Sequence, residues 1–439
     1  MRTITDLPCP PSPPLVGNAL RFRHDRLGFL TRCAREYGDA VRLRLGPVDA
    51  VLLSHPDAVH DVLTARVHDF HKGPVLQRAR AVLGDGLLTS EGETHRHDRR
   101  MLQAVFHPRR ISAYSEAMTD VTAQAVRSWD PGKALDMHAE MVRTTLTVAG
   151  RSLFATRIDD DVPMVSAALT DLLFAYGVML MPFGRLLLRL PPTAQRLRRG
   201  IAGLDDLAAR LVREHRSGRP SDGADLLSVL LADEEDPRKV RDQVVTLLLA
   251  AHETTAGALA NACHLLAEHA EVQEAVAGEV MSVCGTGGVP TEDDLERFPS
   301  VRAVLAEALR LYPPSWAMGR QARCDTETAG IALPSGTVVL VSQWVVHRDP
   351  RWWPSPERFD PSRFDAPHPG RPRSAYFPFG GGTRQCLGEG FAMTEGVLTL
   401  ATILARWRLR AVPGRELTLD PLLTLRPRDG VWLVPERRR

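Results

Sequence analysis

The pattern of apolar and polar positions predicts strands in three places and helices almost everywhere else. Ala40-Val41-Arg42-Leu43-Arg44-Leu45 alternates, Gly46-Pro47 turns, and Val48 to Ser54 forms a second strand. Val338 to Val346 reads as an apolar strand, and Gly430 to Val434 as a C-terminal one. Leu27 to Tyr37 reads as a helix ended by Gly38, and Asp57 to Leu63 as a short helix. Residues 73–90, with Gly73-Pro74, Gly84 and Gly86, read as irregular. The helix after them carries His95-Arg96-His97-Asp98-Arg99-Arg100, with His95 and Arg99 on one face. Residues 111–215 are mainly helical, and Leu172 to Gly184 lacks charge. That segment reads either as a buried helix and turn or as a mobile apolar lid. Val244 to Leu266 is a long apolar helix, Val301 to Leu311 a shorter one, and Trp352 to Phe364 Pro-rich coil. Residues 1–20, with Pro8, Pro10, Pro11, Pro13 and Pro14, form an irregular leader.

Two stretches conflict with their own pattern. The long helix is interrupted by Ala250-Ala251-His252-Glu253-Thr254-Thr255. Mid-helix Glu and Thr facing a core are costly unless paired, and adjacent Thr residues lower helix propensity. Such a conflict marks a site. It is no zinc motif, because position 256 is Ala. The plain alternative has Thr254 bonding back to a carbonyl of its own helix.

The second stretch is Phe379-Gly380-Gly381-Gly382-Thr383-Arg384-Gln385-Cys386-Leu387-Gly388, followed by a helical pattern through Phe391, Val397, Leu398, Leu400, Ile403 and Leu404. A helix start favours a thiolate through its unpaired N–H groups and positive dipole end. Glycines permit close backbone approach, and their amides can tune the sulfur. Arg384 suits a carboxylate, and Phe379 can shield the sulfur from water. The plain alternative is a turn holding a buried structural cysteine.

Composition narrows the field. A chain of 439 residues can bury a large core, and no linker divides it, so one domain over 1–439 is expected. The net charge of +2 gives no reason to invoke nucleic acid. Arg196-Leu197-Arg198-Arg199 and Arg437-Arg438-Arg439 read as solvated surface. The six cysteines lack paired spacing, which argues for a reducing compartment and against a zinc or disulfide scaffold. No N-terminal signal core appears, and no run approaches the roughly 18 apolar residues of a membrane span. A soluble, cytoplasmic monomer is expected.

Phe379, Gly382, Arg384, Cys386 and Gly388 match every fixed position of Phe-x-x-Gly-x-Arg-x-Cys-x-Gly, and the stretch resembles the haem-binding loop of cytochrome P450. Three further signals stand in the family's order: the His95–Arg99 helix, the acid-Thr pair Glu253-Thr254, and Glu307-Ala308-Leu309-Arg310. The resemblance implies a mainly α fold with a small β-rich lobe, the cytochrome P450 fold. It implies heme b with its iron on the Cys386 thiolate. Phe379, Gly380 and Gly388 would shape the loop, Ala250 would line the haem, and His95, Arg99, Arg320 and Arg384 would bind its propionates. Glu253 and Thr254 would manage protons during O2 activation. One departure is Ala251, where the family usually has Gly. Glu307 and Arg310 would form a buried ion pair joined by Arg358 from Pro356-Glu357-Arg358-Phe359.

The activity implied is monooxygenation. Leu173, Phe174, Met179, Leu247, Trp316 and Met318 are candidate pocket residues, all apolar, with no carboxylate clamp in sight. A hydrophobic small molecule follows, such as a terpene or polyketide intermediate of secondary metabolism, with a fatty acid as the runner-up. The chain carries no flavin or iron–sulfur domain, so a ferredoxin and its reductase would supply electrons. Arg96, Arg100, Arg109 and Arg110 would present a basic docking face. Rival readings are a peroxide-driven peroxygenase, which would replace the acid-Thr pair; a non-enzymatic haem sensor; and a colourless cysteine hydrolase.

Overall fold

Turn chemistry places the first elements where the pattern expects them. In this computed structural model, which describes residues 2–46, 48–156, 158–179, 184–217, 225–234, 236–366 and 368–438, the helix Arg26–Tyr37 is capped by Asp25, whose side chain accepts from Gly28 N. It ends at Gly38, whose φ of +92° is closed to most side chains. The strands Ala40–Leu45 and Val48–Leu53 then pair antiparallel, with Leu43 opposite Ala50.

The chain divides into two units. The first comprises Met1–Arg78, Leu309–Phe359 and Ala366–Cys386. It holds a five-stranded sheet in the order Ala40–Leu45, Val48–Leu53, Val338–Val341, Met318–Ala322, Phe70–Lys72. Only Val48–Leu53 and Val338–Val341 run parallel. Val51, Leu53, Val339, Val341 and Phe70 pack with Val59, Val62 and Phe377 into one core. The strand expected to reach Val346 stops at Val341. Ser342 accepts from Val345 N at 3.4 Å and starts a one-turn helix, Gln343–Val346, so a capping residue overrides an apolar run.

The second unit comprises Ala79–Ala308, Asp360–Asp365 and Leu387–Arg439, and is mainly helical. Helix Met137–Leu153 packs on Pro237–Glu268, Val162–Met179 on Pro191–Arg216, and Pro108–Arg127 on Glu389–Arg406. Leu146, Leu172, Leu207, Val244, Leu248 and Leu398 lie in its core. A three-stranded sheet joins Leu135–Asp136, Trp432–Arg437 and Trp407–Ala411.

Four further sequence expectations change. Residues 74–83 are helical rather than irregular: Pro74 suits a first helical position, and Ala79, Val82 and Leu83 share the buried face. Among the described residues, one helix, Val162–Met179, is long and apolar enough to cross a membrane. Its Val165, Leu169 and Leu172 are buried in the core; Asp171 hides the run from a charge-free search. That aspartate explains the third change. Arg196 and Arg199 of the supposed solvated cluster both bind its buried carboxylate, Arg199 Nε at 2.9 Å. Burial pushes the carboxyl up, but the hydrogen bonds from Arg199 and Arg196 outweigh it and hold it below the usual range. Last, Arg438 is buried against Trp407 O and Glu274 rather than solvated. Pro47, Met181, Pro182, Phe183 and Arg439 lie outside the described residues, so the turn of the Leu172–Gly184 segment is not described.

Candidate active site

The cysteine loop closes on itself. Cys386 N donates to Phe379 O at 2.8 Å, and Gly382–Arg384 forms a 3-10 turn within it. Gly380 and Gly382 have φ of +77° and +65°. A Cβ at Gly382 would stand 2.1 Å from Leu63 O, so backbone meets backbone here and only glycine fits. Arg384 holds the loop from the other side, donating to Phe70 O at 3.0 Å and Val67 O at 3.3 Å. Cys386 is an exposed residue. Two residues on, Gly388 caps the helix Glu389–Arg406, so the sulfur sits at the positive end of that helix. By contrast, burial pushes the Cys33 and Cys263 thiols up to about 12, which keeps them neutral. An exposed cysteine in a cradle that a Cβ would fill fits a thiolate ligand to haem iron.

Met318, Trp316 and Arg320 belong to the same first unit. A Cβ at Gly380 would lie 3.6 Å from the Met318 sulfur. Trp316 is buried, its carbonyl accepting from Ser342 Oγ at 2.8 Å and Trp344 N at 3.1 Å. Arg320 is buried in the sheet opposite Val339 and Lys72, with its NH1 on Gly319 O.

In the second unit the long helix runs unbroken from Pro237 to Glu268, so Ala251 brings no interruption of the α-helix. Thr254 Oγ1 donates to Ala250 O at 2.9 Å, which is the back-bonded geometry of the plain alternative. Its lone pairs stay available, so this bond leaves the hydroxyl able to accept a proton. Glu253 is buried and accepts from Thr424 Oγ1 at 3.2 Å. His252 Nε2 lies 3.9 Å from Glu253 Oε2, while its Nδ1 stands 2.5 Å from Leu248 O. Burial holds the His252 ring below the ordinary imidazole value, and therefore neutral. Its single proton then serves Leu248 O and leaves a lone pair toward Glu253.

His95 is buried and Arg99 half-buried on the helix Gly92–Gln103. Leu173, Met179 and Leu247 are buried. Phe174 is 38 % exposed, and Arg196 stacks over its ring at 4.1 Å, so it lies on an outer face.

The third member of the ion pair, Arg358, needs a correction. Glu307 and Arg310 share the helix Pro299–Leu311 and are fully buried. Glu307 Oε1 is met by Arg363 Nε at 3.4 Å and Asp360 N at 3.0 Å. Arg358 is exposed and offers only its carbonyl, 3.2 Å from Arg310 NH2. The chain holds two Pro-x-Arg-Phe strings, 356–359 and 361–364, and the second supplies the charge.

Two apolar loops escaped the sequence reading. Residues 84–90 are tied to the long helix by Asp85 N on Asp242 Oδ2 at 2.7 Å and Leu87 N on Gln243 Oε1 at 2.9 Å. They pack Leu87 and Leu88 against the helical core, as Leu423 does from the turn after Pro421. Leu422 of that turn lies 3.9 Å from where a Gly177 Cβ would stand. The close approach of Gly84 and Gly86 to the long helix was the signal for the first loop; the second has none.

The cytochrome P450 family model matches residues 7–433. The chain is 40% identical to cyclooctat-9-en-7-ol 5-monooxygenase of Streptomyces melanosporofaciens, over 93% of this chain and 90% of that protein. It is 38% identical to cyclooctatin synthase of the same organism, over 97% and 94%. It is 35% identical to pentalenene oxygenase of Streptomyces avermitilis, over 95% and 94%. The chain therefore belongs to the cytochrome P450 family, as a haem-thiolate monooxygenase that activates O2, takes electrons from a redox partner and acts on a hydrophobic small molecule.

Proposed function

We infer that this protein hydroxylates or epoxidises a cyclised terpene intermediate of secondary metabolism, with electrons from a ferredoxin and its reductase, in the cytoplasm. The observation that carries the chemistry is the exposed Cys386, held by Gly382 and Arg384 at the head of a helix. The relatives named for cyclooctatin and pentalenene chemistry support the terpene. So do the apolar candidates Leu173, Met179, Leu247, Trp316 and Met318. The basic residues Arg100 and Arg109, exposed on and after the helix Gly92–Gln103, support an acidic ferredoxin. The whole chain, residues 1–439, acts as one P450 domain.

Haem held by a cysteine thiolate supplies O–O bond cleavage and oxygen insertion in this family. Cys386 would hold the iron, with the helix end and loop amides favouring its negative charge. His95, Arg99, Arg320 and Arg384 would hold the propionates. Glu253 carries a proton inward, and the Thr254 hydroxyl receives and orients it. Glu307 would fix the 360–363 coil through Asp360 N and Arg363, and Arg310 the 356–358 coil through its carbonyls.

The test has two parts. Reduced protein with carbon monoxide gives a thiolate-type Soret band that Cys386→Ser abolishes; persistence of the band ends the Cys386 assignment. Cyclic terpene hydrocarbons and alcohols shift the iron spin state and yield oxygenated products. A response to fatty acids or polyketides alone would overturn the terpene reading. Thr254→Ala keeps the band but lowers product formed per reducing equivalent by about 10²-fold, the lower end of what positioned proton transfer supplies.

A further inference from the structure

A row of aromatic rings in the first unit leads to the cysteine loop. The Trp353 and Tyr376 rings stand 5.9 Å apart between centroids. Tyr376 lies 5.2 Å from the His347 ring, and His347 lies 5.2 Å from Phe377. Hydrogen bonds hold the row in place. His347 Nε2 accepts from Phe377 N at 3.0 Å, and Trp353 Nε1 donates to Ala375 O at 3.2 Å. The backbone then carries the connection to the cysteine. Gly380 N donates to Phe377 O at 3.0 Å, and Cys386 N donates to Phe379 O at 2.8 Å. That Gly380 N–H and that Phe379 carbonyl belong to one peptide group. The route from Tyr376 to Cys386 therefore crosses these two hydrogen bonds and otherwise follows covalent bonds.

Such a path conducts electrons, because every step is a bond or a hydrogen bond rather than a gap. Phenyl and neutral imidazole rings are hard to oxidise, whereas phenol and indole are not. Two stations remain, Trp353 and Tyr376, and charge decides between them. Trp353 is fully buried, and the guanidinium carbons of Arg371 and Arg310 lie over its ring at 3.9 and 5.1 Å. These charges attract the electron-rich face of the neutral indole. They repel the cation radical that oxidation would leave there. Tyr376 avoids that repulsion: a phenol that loses an electron also loses its proton and ends neutral. Tyr376 is half-buried, within reach of water for that proton. Burial keeps the neighbouring His347 ring uncharged, so it adds no repulsion of its own.

We propose that Tyr376 is a sacrificial electron donor that quenches the oxidised haem through the Cys386 loop when no substrate takes the oxygen. This rests on the reading of Cys386 as the iron's ligand. The oxidant comes from O2 activation, the family's own activity, or from an added peroxyacid. In the step, Tyr376 gives one electron to the oxidised haem, which is reduced by one electron. Its phenolic proton passes to water, and a neutral tyrosyl radical remains. A soluble thiol or ascorbate then returns one electron, and water one proton, to restore the phenol. Without this donor the oxidant turns on the ligand sulfur, whose sulfinic and sulfonic acids are not reversed by ordinary reductants. Loss of Tyr376 therefore shortens the life of the haem-thiolate bond.

The test mixes substrate-free, haem-loaded ferric protein with a peroxyacid and freezes it rapidly for electron paramagnetic resonance. Wild type gives a tyrosyl signal that narrows when its tyrosines are ring-deuterated. Tyr376→Phe loses that signal but keeps the carbon monoxide band and the substrate-induced spin shift. The chain has five tyrosines, so the others are easily checked: Tyr37→Phe and Tyr312→Phe, also in the first unit, retain the signal. During reductase-driven turnover without substrate, Tyr376→Phe loses its thiolate band several-fold faster than wild type. Mass spectrometry of the inactivated variant finds oxidised Cys386. If Tyr376→Phe binds haem poorly, fluorotyrosine placed at position 376 alone reports the radical by fluorine hyperfine splitting. A tyrosyl signal that survives Tyr376→Phe, an indole radical in its place, or equal inactivation rates overturns the proposal. Absence of the band in wild type, or its persistence in Cys386→Ser, would instead refute the haem-thiolate reading, so the two failures are told apart.

Discussion

Arg363 Nε stands 3.4 Å from Glu307 Oε1, and that carboxylate has no exposure to water. Asp360 N donates to the same oxygen at 3.0 Å. Arg310 is buried on the same helix as Glu307, and removing Glu307 or Arg363 unbalances this buried charge cluster, which costs about 3–5 kcal/mol. Glu307→Ala and Arg363→Ala should each lower the denaturant midpoint sharply and reduce the haem retained on purification. Arg358→Ala removes an exposed side chain and should stay within about 0.5 kcal/mol of wild type. Equal losses at 358 and 363 in a denaturant series would contradict the assignment of the pair.

Gly382 makes the tightest backbone approach in the cysteine loop. Its φ of +65° alone costs an L-residue about 1–2 kcal/mol, and a Cβ would also stand 2.1 Å from Leu63 O. Gly382→Ala should therefore shift the loop, lower haem occupancy and weaken the thiolate band. Gly388→Ala is milder, because its Cβ would meet the Phe106 ring at an ordinary 3.5 Å. Haem-to-protein absorbance ratios of the two variants, purified side by side, should rank them in that order.

These contrasts explain what was legible in the sequence. The cysteine loop was readable because Gly382, Arg384 and Cys386 leave few alternatives for one another. The helix Arg26–Tyr37 and its neighbouring hairpin were readable because Gly38 and Gly46 punctuate them locally. The Arg363 pairing was not, because Arg358 stands in an equivalent short motif and only tertiary burial separates the two. The end of the strand at Val341 was hidden because Ser342 caps a helix within a run of β-favouring residues.

His347 makes the protein acid-sensitive. Its ring accepts from Phe377 N at 3.0 Å through Nε2, between the rings of Tyr376 and Phe377. Burial first, and then the Arg310 charge, hold it well below its ordinary 6.5. The unfolded chain therefore binds a proton near pH 6.5 that the folded chain refuses until much lower pH. Stability is flat above 6.5 and falls as pH drops below it, by at most about 1.4 kcal/mol per pH unit for this group. His252, also held low by burial, adds to the same slope. In urea unfolding between pH 5 and 8, the stability of wild type relative to His347→Asn should fall as the pH drops below 6.5.

Glu395 should tilt the curve the other way. It lies fully buried in the helix Glu389–Arg406, and neither carboxyl oxygen has a hydrogen-bond partner. Burial alone raises its pKa well above the ordinary 4.5. The folded protein keeps this proton where the unfolded chain has released it, so stability falls as pH rises above 4.5. Between 4.5 and 6.5 this opposes the histidine slope, and wild-type stability changes little there. Glu395→Gln has no proton to hold and should remove the opposing contribution. At neutral pH the variant should be more stable than wild type, because it folds without the proton uptake that burial demands of Glu395. Below pH 6.5 it should lose stability on acidification more steeply than wild type. Paired urea titrations of the two proteins across pH 4–8 check both signs at once, and parallel curves would mean that Glu395 keeps its charge on folding.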